Sequence, residues 1–94
     1  MSLNKKWYVY ILRCKNNSLY TGITTDVQRR FEQHLSGKGA KYTKVHKPVK
    51  IEAIFVHENR SSATKEELRI KGLPKCQKEL LCKISFNDIL KTNN

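Results

Sequence analysis

The sequence has 94 residues, of which 38% are hydrophobic and 29% are charged. This length fits one small domain with a single core, with no room for a second. No apolar run approaches the roughly 20 residues of a membrane-spanning helix, and residues 1–6 lack the apolar segment of a signal peptide. The three cysteines (Cys14, Cys76, Cys82) have no paired metal-ligand spacing, so we expect a reduced, cytoplasmic protein without a disulfide framework.

Positive charge is the strongest signal in the composition. Nineteen Lys and Arg residues stand against eight Asp and Glu residues, a net charge of +11 that is typical of proteins that bind nucleic acid. Residues 1–50 carry +9 of this net charge and residues 51–94 carry +2. In the first half, lysines without an intervening acid recur at every third position, which predicts a phosphate-facing edge but also fits a solvated loop: Lys38, Lys41, Lys44, Lys47 and Lys50.

The first elements predicted along the chain form a β-hairpin. Residues 7–13 are β-branched and aromatic, residues 15–17 are a turn signal, and residues 18–23 resemble a second strand. A three-residue turn pairs Tyr10 with Gly22 and puts Tyr10 and Tyr20 on one face, whereas a two-residue turn sends the tyrosines to opposite faces. In the first register, the glycine leaves space over the backbone for something to approach.

A helix, a loop and a third strand follow the hairpin. Asp26 is a suitable cap for a helix whose apolar side chains recur at Val27, Phe31 and Leu35, and Gly37 ends it. The lysine-rich residues 36–50 contain two glycines and a proline and predict a loop. Residues 51–57 are predicted as the third strand.

Helices are predicted for the rest of the chain. One begins within residues 59–62, with Ser61 or Ser62 as its cap, and runs to about Gly72. After Pro74, two short helices are expected over about residues 75–83 and 85–91, the second capped by Ser85. The order ββαβαα predicts one α/β (α+β) domain over residues 1–94, with its core at about 7–83 and a small, mainly antiparallel three-stranded sheet flanked by helices.

Two positions on the helices carry side chains suited to chemistry on phosphates. Arg30 and His34 stand four residues apart on one helix stripe at the edge of the core, where an arginine can bind a phosphate bidentately and a histidine can exchange a proton. Glu66 and Glu67 lie in the next helix, and periodicity does not decide which of them faces inward. Each of these residues also has an ordinary explanation as a surface side chain, and the two tyrosines as core aromatics.

One ordered set of residues spans nearly the whole chain, from about Trp7 to Leu81. Tyr8-Val9-Tyr10 stands ten residues before Tyr20-Thr21-Gly22, Arg30 follows Tyr20 by ten, His34 follows by four more, and Ala63-x-x-x-Glu67-x-x-Ile70-Lys71 comes later. This combination resembles the GIY-YIG endonuclease superfamily, and its small, stand-alone bacterial members in particular. The resemblance implies a three-stranded antiparallel sheet flanked by helices, which agrees with the order read from the elements.

The resemblance also implies a phosphodiesterase that uses one divalent metal ion, Mg²⁺ or Mn²⁺. Tyr10 and Tyr20 match the tyrosines of the two triplets, Arg30 the family arginine, His34 the His or Tyr that follows it, and Glu67 the metal-binding glutamate. In this scheme Arg30 holds the phosphorane, and Tyr20, or His34 relaying through Tyr20, takes the proton of the attacking water. One carboxylate suffices for Mg²⁺, which keeps much of its water.

Some positions depart from the family pattern. Tyr8 stands where the first triplet has glycine, and Thr21 where the second has isoleucine. Ile23 replaces a lysine found in some repair-type members, and the C-terminal asparagine of larger members has no clear counterpart near Lys78 or Glu79. The resemblance brings no attached DNA-recognition domain.

The expected partner is nucleic acid, DNA before RNA, and no membrane. Without a recognition domain, a protein partner is a candidate source of specificity, and a monomer is expected. Two alternatives to a nuclease remain open, namely a nucleic-acid-binding module of the same fold with little or no catalysis, and a small basic ribosome-associated protein. The residues predicted to contact nucleic acid are Arg29, Lys38, Lys41, Lys44 and Lys47.

Overall fold

The computed structural model describes the backbone of residues 5–92 and the side chains of residues 5–85. The strands are β1 (Trp7–Cys14), β2 (Leu19–Thr24) and β3 (Pro48–His57), and the helices are α1 (Val27–Leu35), α2 (Lys41–Val45), α3 (Arg60–Lys71) and α4 (Lys75–Thr92). They form one antiparallel sheet with the strand order β2-β1-β3. The predicted fold class and the order ββαβαα are confirmed, with α2 as an additional short helix. Within residues 5–92, no helix is both long and apolar enough to cross a membrane.

The hairpin between β1 and β2 has the three-residue turn. Cys14 N–H donates to the Ser18 carbonyl at 2.9 Å, and Asn17 has a φ of 68°, a left-handed conformation that asparagine adopts more readily than most residues. This turn pairs Tyr10 with Gly22. Tyr10 and Tyr20 therefore project from the same face of the sheet, as the first of the two registers predicted.

The two faces of the sheet are covered by different helices. One face holds the apolar core, in which Val9 and Ile11 of β1 pack with Ala63 and Ile70 of α3 and with Cys82 of α4. Alternation along β1 puts Tyr10 and Leu12 on the other face, where His34 of α1 and Thr43 of α2 are also buried. The candidate site residues of the hairpin thus lie under α1 and α2.

The lysine-rich segment differs from its prediction as a loop. Residues 41–45 form α2, and β3 begins at Pro48 rather than at residue 51. A five-residue helix is not stable alone, and tertiary contacts stabilise it here, because Tyr42 stacks on Tyr20 and Thr43 is fully buried. Contacts of this kind leave no periodic pattern in the sequence. The two glycines and the proline therefore made residues 36–50 resemble a loop.

The ends of the last two helices also differ from the prediction. Asn59, not Ser61 or Ser62, caps α3, and its side-chain oxygen accepts a hydrogen bond from Ser62 N–H at 2.8 Å. The two helices expected after Pro74 are one continuous helix, α4, because no glycine or proline interrupts the chain there. Ser85 lies inside this helix and is buried, so it does not cap one.

One arginine of the basic first half is neutralised within the fold. Arg13 donates hydrogen bonds to Glu52 at 2.8 Å and to Glu79 of α4 at 2.5 Å. Hydrogen bonds from Arg13, and then from Lys75, lower the pKa of Glu79 to about 2. Arg13 therefore fastens α4 to the sheet and adds little to the field that a nucleic acid would meet.

Candidate active site

Three rings meet on the face of the sheet that α1 and α2 cover. The ring centroids are 6.4 Å apart for Tyr10 and Tyr20, 5.9 Å for Tyr10 and His34, and 5.3 Å for Tyr20 and His34. The hairpin register supplies the two tyrosines, and the second half of α1 supplies the histidine. These three predicted site residues therefore lie together.

Tyr10 fills the space over Gly22. A Cβ built on Gly22 would lie 2.5 Å from the Tyr10 hydroxyl oxygen and 2.7 Å from its ring carbon Cζ. Gly22 does leave space over its backbone, as expected, but the phenol of Tyr10 occupies this space and no other group can enter it. Only 1% of Tyr10 is exposed, so the ring is held in one place by the strand below it.

His34 lies in the interior, not at the edge of the core where it was expected. Its relative exposure is 0%, and its ring is hydrogen-bonded at both nitrogens, to the Tyr10 hydroxyl at 2.8 Å through Nε2 and to Thr43 Oγ1 at 2.7 Å through Nδ1. Residue 39 passes so close to Nδ1 that only glycine fits, because a Cβ there would overlap the ring. The expected relay ran from His34 through Tyr20, but among residues 5–85 the hydroxyl that contacts His34 belongs to Tyr10.

The environment fixes the protonation states of this pair. Burial, and then the charge of Arg30, lowers the pKa of His34 to about 4. Burial, and then the neighbouring Tyr20, raises the pKa of Tyr10 to about 12, an effect that Arg30 opposes and Glu67 reinforces. At neutral pH His34 is therefore uncharged and Tyr10 keeps its proton.

Arg30 connects this pair to an open groove of about 380 Å³. Its charge is close enough to Tyr10 to oppose the rise in the pKa of the phenol, and its Nη1 donates to Gln33 Oε1 at 3.0 Å. Arg29 and Arg60 line the same groove, and Arg60 lies with its Cζ 5.4 Å from the ring centroid of Trp7. Arg60 was not found from the sequence, because a single arginine at a helix start carries no signal.

Glu67 is the glutamate of α3 that faces inward. It shares a helix stripe with the buried Ala63 and Ile70, and its side chain is 16% exposed. Glu66, with 24% of its side chain exposed, pairs with Arg69 at 2.7 Å and lines a separate groove with His57. This settles the choice that periodicity left open.

The surroundings of Glu67 define what metal it could hold. No group of three or more His, Cys, Asp or Glu side chains within the described part of the chain could hold an ion together. Its carboxylate is 3.1 Å from the Lys71 ammonium and close enough to Tyr10 to raise the pKa of the phenol. One carboxylate with water and phosphate oxygens fits Mg²⁺ or Mn²⁺ and does not fit a dedicated zinc site.

The lysines of the predicted contact edge lie on and around α2. Lys41 and Lys44 are exposed one helical turn apart, and Lys38 and Lys47 are exposed on either side of the helix. Tyr42 joins this helix to the site, because its ring stacks on Tyr20 at 6.1 Å and 18°. Lys41 and Lys44 thus lie on a helix that packs against Tyr20, whereas Lys50 lies on β3, 3.8 Å from Glu52.

Known proteins resemble this chain over most of its length. The family model described as the GIY-YIG catalytic domain matches residues 6–79. A UPF0213 protein of Cupriavidus necator is 50% identical over 82 residues, which cover 87% of this chain and 89% of that protein. A UPF0213 protein of Fusobacterium nucleatum is 52% identical over 73 residues, which cover 78% of this chain and 73% of that protein.

Two solution NMR structures share the fold. One, of a UPF0213 protein from Bacillus halodurans, has 44% sequence identity and a TM-score of 0.55, and the match covers 84% of each chain. The other, of a protein from E. faecalis, has 39% identity and a TM-score of 0.59 and covers 89% of this chain and 90% of that one. With the match of residues 6–79 to the catalytic-domain model, these relatives show that the chain belongs to the GIY-YIG family.

Proposed function

We propose that this protein is a metal-dependent, endonuclease-type phosphodiesterase that acts on nucleic acid, with DNA as the first candidate. The observation that carries the proposal is the 2.8 Å hydrogen bond between the hydroxyl of Tyr10 and Nε2 of the buried His34, next to Arg30. A surface that only binds nucleic acid needs no proton acceptor behind a phenol. Hydrolysis needs one, because the attacking water must lose a proton.

The proposed reaction adds water to a phosphodiester. A bond forms between the water oxygen and phosphorus, and the bond from phosphorus to the leaving oxygen breaks. The water gives its proton to Tyr10 as Tyr10 passes its own proton to His34, and the leaving oxygen takes a proton from solvent. Tyr20, which is half-buried beside this pair, orients the water, and Arg30 stabilises the negative charge that develops on phosphate.

Glu67 is the residue that would hold the divalent ion. When bound, the ion supplies charge stabilisation at a phosphate oxygen and at the leaving oxygen. The ammonium of Lys71 pairs with the Glu67 carboxylate at 3.1 Å, and the side chain of Lys71 is 48% exposed. Lys71 can therefore turn to solvent and release the carboxylate.

The charge distribution supports a substrate held mainly by its phosphates. Arg29 and Arg60 line the groove of Arg30, and exposed lysines follow α2. Side chains of this kind contact phosphate and carry no base code, so we expect low sequence specificity from the domain alone. A protein partner would then supply specificity, and we expect the domain to act as a monomer.

A non-catalytic binding module of the same fold is the second candidate. The ion pair of Glu67 with Lys71 favours it, because a carboxylate neutralised in this way can simply be structural. The two candidates predict different effects when the carboxylate is removed.

The deciding experiment compares Glu67→Ala with Glu66→Ala, because Glu67 lies near Tyr10 and the adjacent Glu66 lines a separate groove. Cleavage is measured with Mg²⁺ or Mn²⁺ on single-stranded, duplex, flap and branched DNA and on RNA, and affinity is measured in parallel. A nuclease loses cleavage by orders of magnitude in Glu67→Ala, with equal or slightly higher affinity, while Glu66→Ala stays close to wild type. If wild type cleaves none of these substrates and Glu67→Ala binds as wild type does, the binding module replaces the nuclease.

A further inference from the structure

The hydrogen bonds around His34 determine which of its two nitrogens carries the proton. Thr43 Oγ1 lies 2.7 Å from Nδ1 of His34 and 2.9 Å from the carbonyl oxygen of Ala40. A hydroxyl has one proton, and a carbonyl oxygen can only accept. Thr43 therefore donates to Ala40 and accepts from His34, which places the proton of the imidazole on Nδ1.

The other side of the ring gives the same assignment. A neutral imidazole has one proton, so a proton on Nδ1 leaves Nε2 with a free lone pair. The Tyr10 hydroxyl donates to that lone pair at 2.8 Å. With the opposite tautomer, Nε2–H would point at the Tyr10 oxygen, and within residues 5–85 the Tyr10 hydroxyl would have no acceptor for its own proton.

The position of Thr43 is itself fixed by the chain. It is fully buried in α2, Lys44 N–H also donates to the Ala40 carbonyl at 3.2 Å, and Gly39 leaves room for the imidazole to lie against this segment. The carbonyl, the hydroxyl and the imidazole form one line of hydrogen bonds that ends at Tyr10. Each hydrogen bond in this line determines which group donates in the next one.

We propose that Thr43 is a positioning residue that holds His34 with its proton on Nδ1, so that Nε2 is always available to accept the Tyr10 proton. This inference rests on the proposed function for its catalytic consequence. In the step concerned, the O–H bond of Tyr10 breaks, a bond forms between that proton and the lone pair of Nε2, and the electron pair left on the phenol oxygen binds the proton that the attacking water releases. The imidazolium then donates through both nitrogens, and Thr43 continues to accept from Nδ1–H.

Long-range ¹H–¹⁵N NMR of the ¹⁵N-labelled protein at pH 7 tests the assignment without using activity. Wild type is expected to show His34 with a protonated Nδ1 and a bare Nε2. Thr43→Val, which keeps the side-chain shape without the hydroxyl, is expected to show a mixture of tautomers or the Nε2–H form. Thr43→Ser keeps the hydroxyl and is expected to retain the wild-type tautomer. The Nε2–H form in wild type, or an unchanged tautomer in Thr43→Val, overturns the proposal.

Cleavage rates provide the second readout. Thr43→Val is expected to lower kcat by about 10- to 100-fold with KM nearly unchanged, and Thr43→Ser to restore most of the rate. A wild-type protein that shows the Nδ1–H tautomer but cleaves nothing would contradict the proposed function and leave the role of Thr43 in fixing the tautomer intact. Dispersed amide spectra confirm that each variant is folded, and if Thr43→Val does not fold, the wild-type tautomer still decides.

Discussion

The Tyr10 ring lies directly over the backbone of Gly22, where a Cβ would stand 2.5 Å from the phenol oxygen. The same hydroxyl is hydrogen-bonded to His34 Nε2 at 2.8 Å. The glycine of the second triplet and the tyrosine of the first therefore form one structural unit. Because Gly22 on β2 has no side chain, the ring of Tyr10 on β1 can pack directly on its backbone. The position of the Tyr10 hydroxyl, and with it the hydrogen bond to His34, depends on this fit.

Gly22→Ala is predicted to displace Tyr10 and break its hydrogen bond to His34. Overpacking a buried site costs about 1–3 kcal/mol, and cleavage should fall with it. Thermal unfolding and the cleavage assay measure the two effects. Gly72→Ala is the matched control, because a Cβ there meets its nearest atoms at an ordinary 3.6 Å and its φ is −80°. Equal stability of Gly22→Ala and wild type would contradict the close fit.

Much of this unit could be predicted from the sequence, because it depends on local rules. The length of the turn at residues 15–17 sets the strand register, and the register puts Tyr10 opposite Gly22. Helical spacing puts Arg30 and His34 on one side of α1. The register does not predict the direction of the Tyr10 side chain. Its ring lies across Gly22 rather than beside it.

The parts that could not be predicted depend on contacts between distant segments. Thr43 reaches His34 only because α2 folds back onto the hairpin, and residues 36–50 look like a loop by composition. Whether Glu66 or Glu67 faces the site depends on how α3 is rotated against the sheet, and both positions border the apolar stripe. Arg60 and Arg30 line one groove, although 30 residues separate them in sequence.

Binding to duplex DNA is predicted to be strongly dependent on salt. If four to six phosphates are neutralised, the log-log slope of affinity against salt is roughly −4 to −5. One variant replaces three lysines on and beside α2: Lys38→Ala, Lys41→Ala and Lys44→Ala. It should reduce the magnitude of that slope by about 2 to 3. The control replaces three exposed lysines elsewhere: Lys5, Lys65 and Lys83. An unchanged slope in the first variant would exclude these lysines as the contact surface.

Arg60→Ala is predicted to weaken nucleic-acid binding and to reduce the salt slope by about 1, because it removes one phosphate contact from the groove of Arg30. Losing the contact with Trp7 should cost only about 0.5–1 kcal/mol of stability. Arg69→Ala, near the other end of α3 and paired with Glu66, is the control and should bind as wild type does. Fluorescence anisotropy over a salt series measures both, and equal slopes in the two variants would count against the groove.

Stability is predicted to fall as the pH drops from about 6.5 to 4, because of His34. Burial and Arg30 lower its pKa from 6.5 to about 4 in the folded protein. Between these values the unfolded chain binds a proton that the folded chain does not, so the free energy of unfolding decreases as pH falls and this contribution levels off below about 4. The full effect of such a shift is about 3 kcal/mol.

The groups that face the imidazole do not compete in this range. Tyr10 keeps its proton because its pKa is about 12, and Thr43 has no titratable group. Glu79, whose pKa Arg13 and Lys75 lower from 4.5 to about 2, loses its own contribution as the pH falls from about 4.5 to 2, below the range in which unfolding is measured. Urea unfolding at several pH values between 7 and 4.5 measures the slope. His34→Gln should remove the part of the slope that His34 causes, whereas His57→Gln, on β3 and bonded to Ser62, should keep it. A wild-type protein with the same stability at pH 6.5 and 4.5 would show that His34 is not buried as an uncharged base.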